Sequence, residues 1–89
     1  MRAIVTVIGK DRVGIIADVC ALLAQNKVNV LDISQTVMQD YFTMIMMVDA
    51  SAAEIPFAEL VKQLHEQGEK MSLTIHAQRE DIFNAMHRI

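Results

Sequence analysis

Among 89 residues the chain has one cysteine, one proline, three glycines and no tryptophan, and aromatic residues make up only 4% of it. The single Cys20 cannot close an internal disulfide, which fits a reducing compartment. No apolar run reaches the about 18 residues that a membrane-spanning helix requires, so no membrane association is expected. The opening "MRAIVTVIGKD" meets charge after about six apolar residues, too few for a secretory segment, and a cytoplasmic location is the expectation. Basic clusters are also missing. Eight Lys and Arg stand against eleven Asp and Glu, for a formal net charge of −3, so nothing is assembled to neutralise phosphates and direct nucleic-acid binding is not expected. His65, His76 and His87 are scattered without ligand spacing, and the seven methionines have no Cys or His pattern beside them. Neither a metal nor a cofactor is therefore expected. No nucleophile stands with a paired base, which argues against an enzyme.

What the chain does have is hydrophobic residues, 53% of the total. They suffice for one domain over residues 1–89 that buries roughly two thirds of its unfolded surface. "RAIVTVI" alternates Ala3, Val5 and Val7 against Arg2, Ile4, Thr6 and Ile8, the period of a strand. "GIIADVCALLAQN" places Ile16, Val19, Cys20 and Leu23 at helical spacing, with Ile15 and Leu22 widening the stripe. Val28 to Met38 and Phe42 to Asp49 read as two antiparallel strands around a turn at "QDY". A second helix starts near Pro56, carries Phe57, Leu60, Val61 and Leu64 as its stripe, and is expected to stop at Gly68. "MSLTIHAQR" alternates as a fourth strand, and "EDIFNAMHRI" sets Ile82, Phe83 and Met86 on one side of a short last helix. The order βαββαβ implies an α+β, ferredoxin-like fold: a four-stranded antiparallel sheet with two helices on one face, plus a short C-terminal helix. The other sheet face then needs polar side chains or a partner.

Two of the three glycines, Gly9 and Gly14, bracket the turn "GKDRVG" between the first strand and the first helix. They serve a tight reversal. The same turn also delivers a helix N-terminus, whose unpaired N–H groups and partial positive charge suit a carboxylate. Gly14 leaves the approach open, Asp11 suits an ammonium group or a helix cap, and Arg12 suits an anion. A small zwitterion matches that mixture. Replacing Gly14 by a larger residue is expected to fill the approach at little cost in stability.

The strand, the "KDRVGI" turn into an amphipathic helix, "VNVLDIS" and the βαββαβ order together resemble an ACT domain, a regulatory module of amino-acid metabolism. The resemblance covers the whole chain. "DISQTVMQDYFTMIMMVD" and the tail "QREDIFNAMHRI" are similar to a stand-alone, single-domain bacterial group near the ACT domains of the glycine cleavage repressor. It implies a homo-oligomeric module that binds a small-molecule effector, an amino acid, between subunits. The resemblance carries ligand contacts onto Asp11, Val13, Gly14 and Ile15 of the turn, beside Arg12, and onto Asn29 of "VNV". The serine-sensing ACT domains of phosphoglycerate dehydrogenase have a histidine where this chain has Gly9, an asparagine at Asp11 and a proline at Val13. Another ligand, or none, is left open by those differences.

Two other functions stay open: a protein-interaction module without a small ligand, and an acylphosphatase-like hydrolase using Arg12 and Asn29. Oligomerisation is expected on separate grounds. "FTMIMMV" is apolar on both faces, and Ile4, Ile8, Ile45 and Met47 would gather on the helix-free side as a patch that marks an interface. The sheet edge at the second strand is another candidate surface, and the tail helix folding back over the patch is the monomeric alternative.

Overall fold

A computed structural model describes residues 1–10 and 14–86. Its elements run β1 (Arg2–Lys10), α1 (Ile15–Gln25), β2 (Asn29–Met38), β3 (Tyr41–Asp49), α2 (Phe57–Lys70), β4 (Leu73–Arg79) and α3 (Glu80–Met86). The strands form one sheet in the order β2-β3-β1-β4, with every neighbouring pair antiparallel. The expected ferredoxin-like order is thus present, with the short helix at its end. No described helix is long and apolar enough to cross a membrane.

The alternation in β1 turns Ala3, Val5 and Val7 inward. Register then aligns Val5 with Met46 of β3 and Ala77 of β4, and Val7 with Met44 and Ile75. These residues form one core with Ile15, Val19 and Leu23 of α1 and Leu60 and Leu64 of α2, so both helices lie on the same sheet face. The α1 stripe is centred one residue earlier than its spacing suggested. Ile15 is buried, while Ile16, Cys20 and Leu22 are partly buried around it. Each fully buried aliphatic side chain contributes about 1.5–3 kcal/mol, and no buried residue among those described is polar or charged.

One strand escapes this layer. Every residue of β2 from Leu31 to Met38 is exposed, because α2 packs over β4 and α1 only grazes β2. A bulge between Val30 and Asp32 interrupts its pairing with β3, leaving Leu31 as the extra residue. The hairpin turn holds Gln39 at φ 54°.

The helix-free face carries Ile4, Met47, Ile8 and Ile45, as their positions in the register require. The tail covers it only in part. α3 lies against β1 and β4, with Glu80 Oε2 3.0 Å from Arg2 Nε. Ile4 is 6% exposed, whereas Ile8 and Ile45 are each 44% exposed. Of the tail stripe, the side chain of Ile82 is described and is exposed; those of Phe83 and Met86 lie outside the described residues.

Gly68 does not end α2, which continues to Lys70 and stops where Ser72 takes φ 58°. Its absent side chain serves packing instead: a Cβ there would meet the Leu73 carbonyl oxygen at 2.8 Å and Ile75 Cγ1 at 3.0 Å. Alanine would gain about 1 kcal/mol of helix propensity but drive the helix off β4. Overpacking of this kind costs about 1–3 kcal/mol. Gly68→Ala should therefore lower the urea midpoint of unfolding, and a raised midpoint would show that α2 does not press on β4 as described.

Candidate functional site

Asp11, Arg12 and Val13 lie outside the described residues, so the site is read from the residues that flank the turn. Gly14 precedes the first residue of α1 with φ 92° and ψ 0°, and no side chain caps the helix there. The first intrahelical bond runs from Asp18 N to the Gly14 carbonyl at 2.9 Å, leaving the N–H groups before Asp18 without helical acceptors, as at any helix start. Ile15 contributes backbone only, since its side chain is 2% exposed and belongs to the core. Asp18 was not apparent from spacing as part of this site. Its carboxylate oxygen comes within 4.0 Å of where a Cβ on Gly14 would be, so the helix N-terminus has a negative charge of its own beside it.

The left-handed conformation of Gly14 corrects the expected cheapness of replacing it. A β-branched residue at φ 92° is strained whatever space surrounds it, at about 1–2 kcal/mol.

Asn29 is the first residue of β2, exposed, and pairs across the sheet with Asp49, which in turn pairs with Arg2. Asn29 therefore lies at the end of the sheet where β1 begins. The turn leaves the opposite end, where Lys10 pairs with Tyr41 and Tyr41 with Met38. The nine residues of β1 separate the two ends by about 26 Å at roughly 3.3 Å per residue. One chain does not bring its own Lys10 and its own Asn29 together.

Around Asn29 the surface is charged. Asp49 Oδ1 accepts a hydrogen bond from Ser51 N at 2.9 Å and lies 3.5 Å from the Met1 ammonium, which also donates to the Ser51 hydroxyl. Hydrogen bonds from the Ser51 hydroxyl and backbone, with the ammonium nearby, hold the Asp49 carboxyl below the usual carboxylate range. A hollow of about 600 Å³ adjoins it, lined by Arg2, Asp49, Arg79, Glu80, Asp81 and Asn84 together with Met1. Its charges satisfy one another: Arg2 with Glu80, and Arg79 with Asp81 at 3.1 Å. Among the described residues no three His, Cys, Asp or Glu side chains are grouped to hold a metal ion. Cys20 is a free, half-buried thiol on α1.

The ACT domain model matches residues 2–78. A UPF0237 protein of Clostridium acetobutylicum is 54% identical over 89 residues, covering all of both chains. An ACT domain protein from Streptococcus pneumoniae superposes with a TM-score of 0.83 at 39% identity, over 98% of each chain. A protein assigned as a glycine cleavage system transcriptional repressor shares the fold, with a TM-score of 0.72 at 23% identity over 86% of this chain and 44% of its own. The ACT match ends before α3, whereas the full-length relative extends through it.

A lowered folded pKa makes the Asp49 carboxylate stabilising at pH values above its unfolded pKa, and that contribution is lost as pH falls through the folded value. Carboxyl-detected NMR titration should place Asp49 below an unperturbed aspartate, and Ser51→Ala should move it back up; a midpoint unchanged by that substitution would contradict the assignment to Ser51.

Proposed function

The chain belongs to the ACT domain family, and we propose that it is a non-catalytic regulatory module that binds a small amino acid between two copies of itself. The observation that carries this reading is the placement of Gly14 and Asn29 at opposite ends of one sheet. A two-fold axis through the outer edge of β2 runs the partner's β2 antiparallel to this one. It brings the partner's Asn29 to the end of the sheet where this chain's turn begins, and two equivalent sites result.

The β2 edge suits that role. Leu31, Ile33, Val37 and Met38, four of the nine exposed large hydrophobics among the described residues, belong to β2. The strand has one charge, Asp32, and neither Lys nor Pro, the residues that commonly keep edges from pairing. In the shared site, the turn with Asp11, Arg12, Val13, Gly14 and Ile15 supplies backbone N–H groups for the ligand carboxylate. The partner's β2 supplies the Asn29 amide, which both donates and accepts. Binding and subunit contact are then linked, so each strengthens the other.

Isothermal titration against the twenty amino acids identifies the ligand, and heat from none of them would favour an interaction module. Asn29→Ala should weaken the binding found by about 1–3 kcal/mol, roughly 5- to 150-fold. Gly14→Val should abolish it while lowering stability by about 1–2 kcal/mol. The two defective variants, unfolded and refolded together, should regain binding at about one site in four, because a mixed dimer assembles one site from its two intact halves. No recovery on mixing would place both residues of a site on one chain.

A further inference from the structure

The helical layer leaves one apolar side chain uncovered at the end of the sheet where α1 starts. Across that end the register lines up Leu73, Gly9, Phe42 and Val37 in one row. The row faces the helices, since Leu73 and Phe42 both belong to the core and cross-strand partners share a face. Leu73 is 7% exposed and Phe42 4%, but Val37, the outermost member, is 55% exposed. The next residue of β2 on the same face is Gln35, so Val37 is not part of a continuous apolar strip along the edge. β1 ends at Lys10 and α1 begins at Ile15, with the Ile15 side chain in the same core as Phe42. The first turn of α1 therefore closes over the inner part of the row and leaves Val37 open.

Strand order says what lies over Val37 in the proposed dimer. From the strand that delivers the turn, the sheet runs β1, β3, β2, and the partner's β2 comes next. With strands about 4.8 Å apart, β1 and the partner's β2 are about 14 Å from each other. Between them stand Phe42, which the chain's own core covers, and Val37, which it does not. A molecule held by the helix start on one side and the partner's Asn29 on the other crosses Val37. We infer that Val37 is the floor of the shared site and makes it selective for an amino acid with an aliphatic side chain. The backbone N–H groups and the Asn29 amide hold the carboxylate and ammonium that all amino acids have, so they do not choose among them. A hydroxyl or charged side chain laid on the Val37 isopropyl group loses water without gaining a hydrogen-bond partner, whereas an aliphatic one does not. The inference rests on the shared site proposed above.

L-Valine and L-threonine have nearly the same shape and exchange a methyl for a hydroxyl, so isothermal titration of the full chain with each reads the selection. Valine should bind about tenfold more tightly, less than the roughly hundredfold of a fully enclosed aliphatic pocket. Val37→Thr keeps a β-branched residue in the strand and should cut the ratio to about threefold or less, with circular dichroism unchanged. Met38→Thr, at the same end but on the opposite face, should leave the ratio at about tenfold. Three results overturn the inference: threonine binding as tightly as valine, a ratio that Val37→Thr leaves unchanged or Met38→Thr reduces as much, or heat from other amino acids but neither of these. In each case, recovery of binding on mixing the Asn29→Ala and Gly14→Val variants keeps the shared site standing. Heat from none of the twenty amino acids overturns the shared site and the selectivity together.

Discussion

A strand hydrogen-bonded on one side only presents a row of backbone N–H and C=O groups that water or another strand has to satisfy, and β2 is such a strand over ten residues. Most of what is particular to this molecule follows from it. The helical layer covers β1, β3 and β4, so β2 has neither a covered face nor a closed edge, yet it keeps Leu31, Ile33, Val37 and Met38 exposed. β4 is the other edge, but α2 buries its Leu73 and Ile75 and α3 follows it without an intervening loop. The sheet is therefore asymmetric: one edge strand packs its side chains into the chain's own core and the other stays open.

The proposed site depends on the antiparallel register. Because β1 runs from the Asn29 end of the sheet to the Gly14 end, the two halves of the proposed amino-acid site are held apart in one chain by the length of a strand. In the proposed dimer, a two-fold operation on β2 reverses the direction and removes the separation along the strands. The polar groups near each half are consistent with a zwitterion: a helix start with Asp18 beside it, and an amide opposite the Asp49 carboxylate. The described core is wholly apolar.

Much of this was legible in the sequence, and the reasons differ by element. β1 and β4 alternate cleanly because one face meets α1 and α2, so Val5, Val7 and Ile75 could be assigned by period alone. β3 was apolar on both faces, and the register puts Ile45 and Met47 on the helix-free one, as the alternation indicated. β2 gave no such signal, since a strand exposed on both sides obeys no burial period and its bulge at Leu31 shifts the faces. Gly68 misled because a glycine near a helix end resembles a stop, while close approach to the Leu73 carbonyl is a tertiary fact. The roles of Asp18 and Asp49 depend on a helical turn and on cross-strand register respectively, neither of which a motif reveals. Gly14 was recognised as a turn residue, but its φ, which makes any replacement strained, is visible only in the fold.

The shared site requires the outer edge of β2 to be paired in solution. Amide hydrogen exchange, read residue by residue, reports this directly. The β2 amides that point away from β3 should exchange slowly at micromolar concentration, lose protection on dilution, and slow further when a bound amino acid ties the partner's Asn29 to the turn. Exchange of those amides at the rate of an unpaired strand, at every concentration and with ligand present, would contradict the shared site.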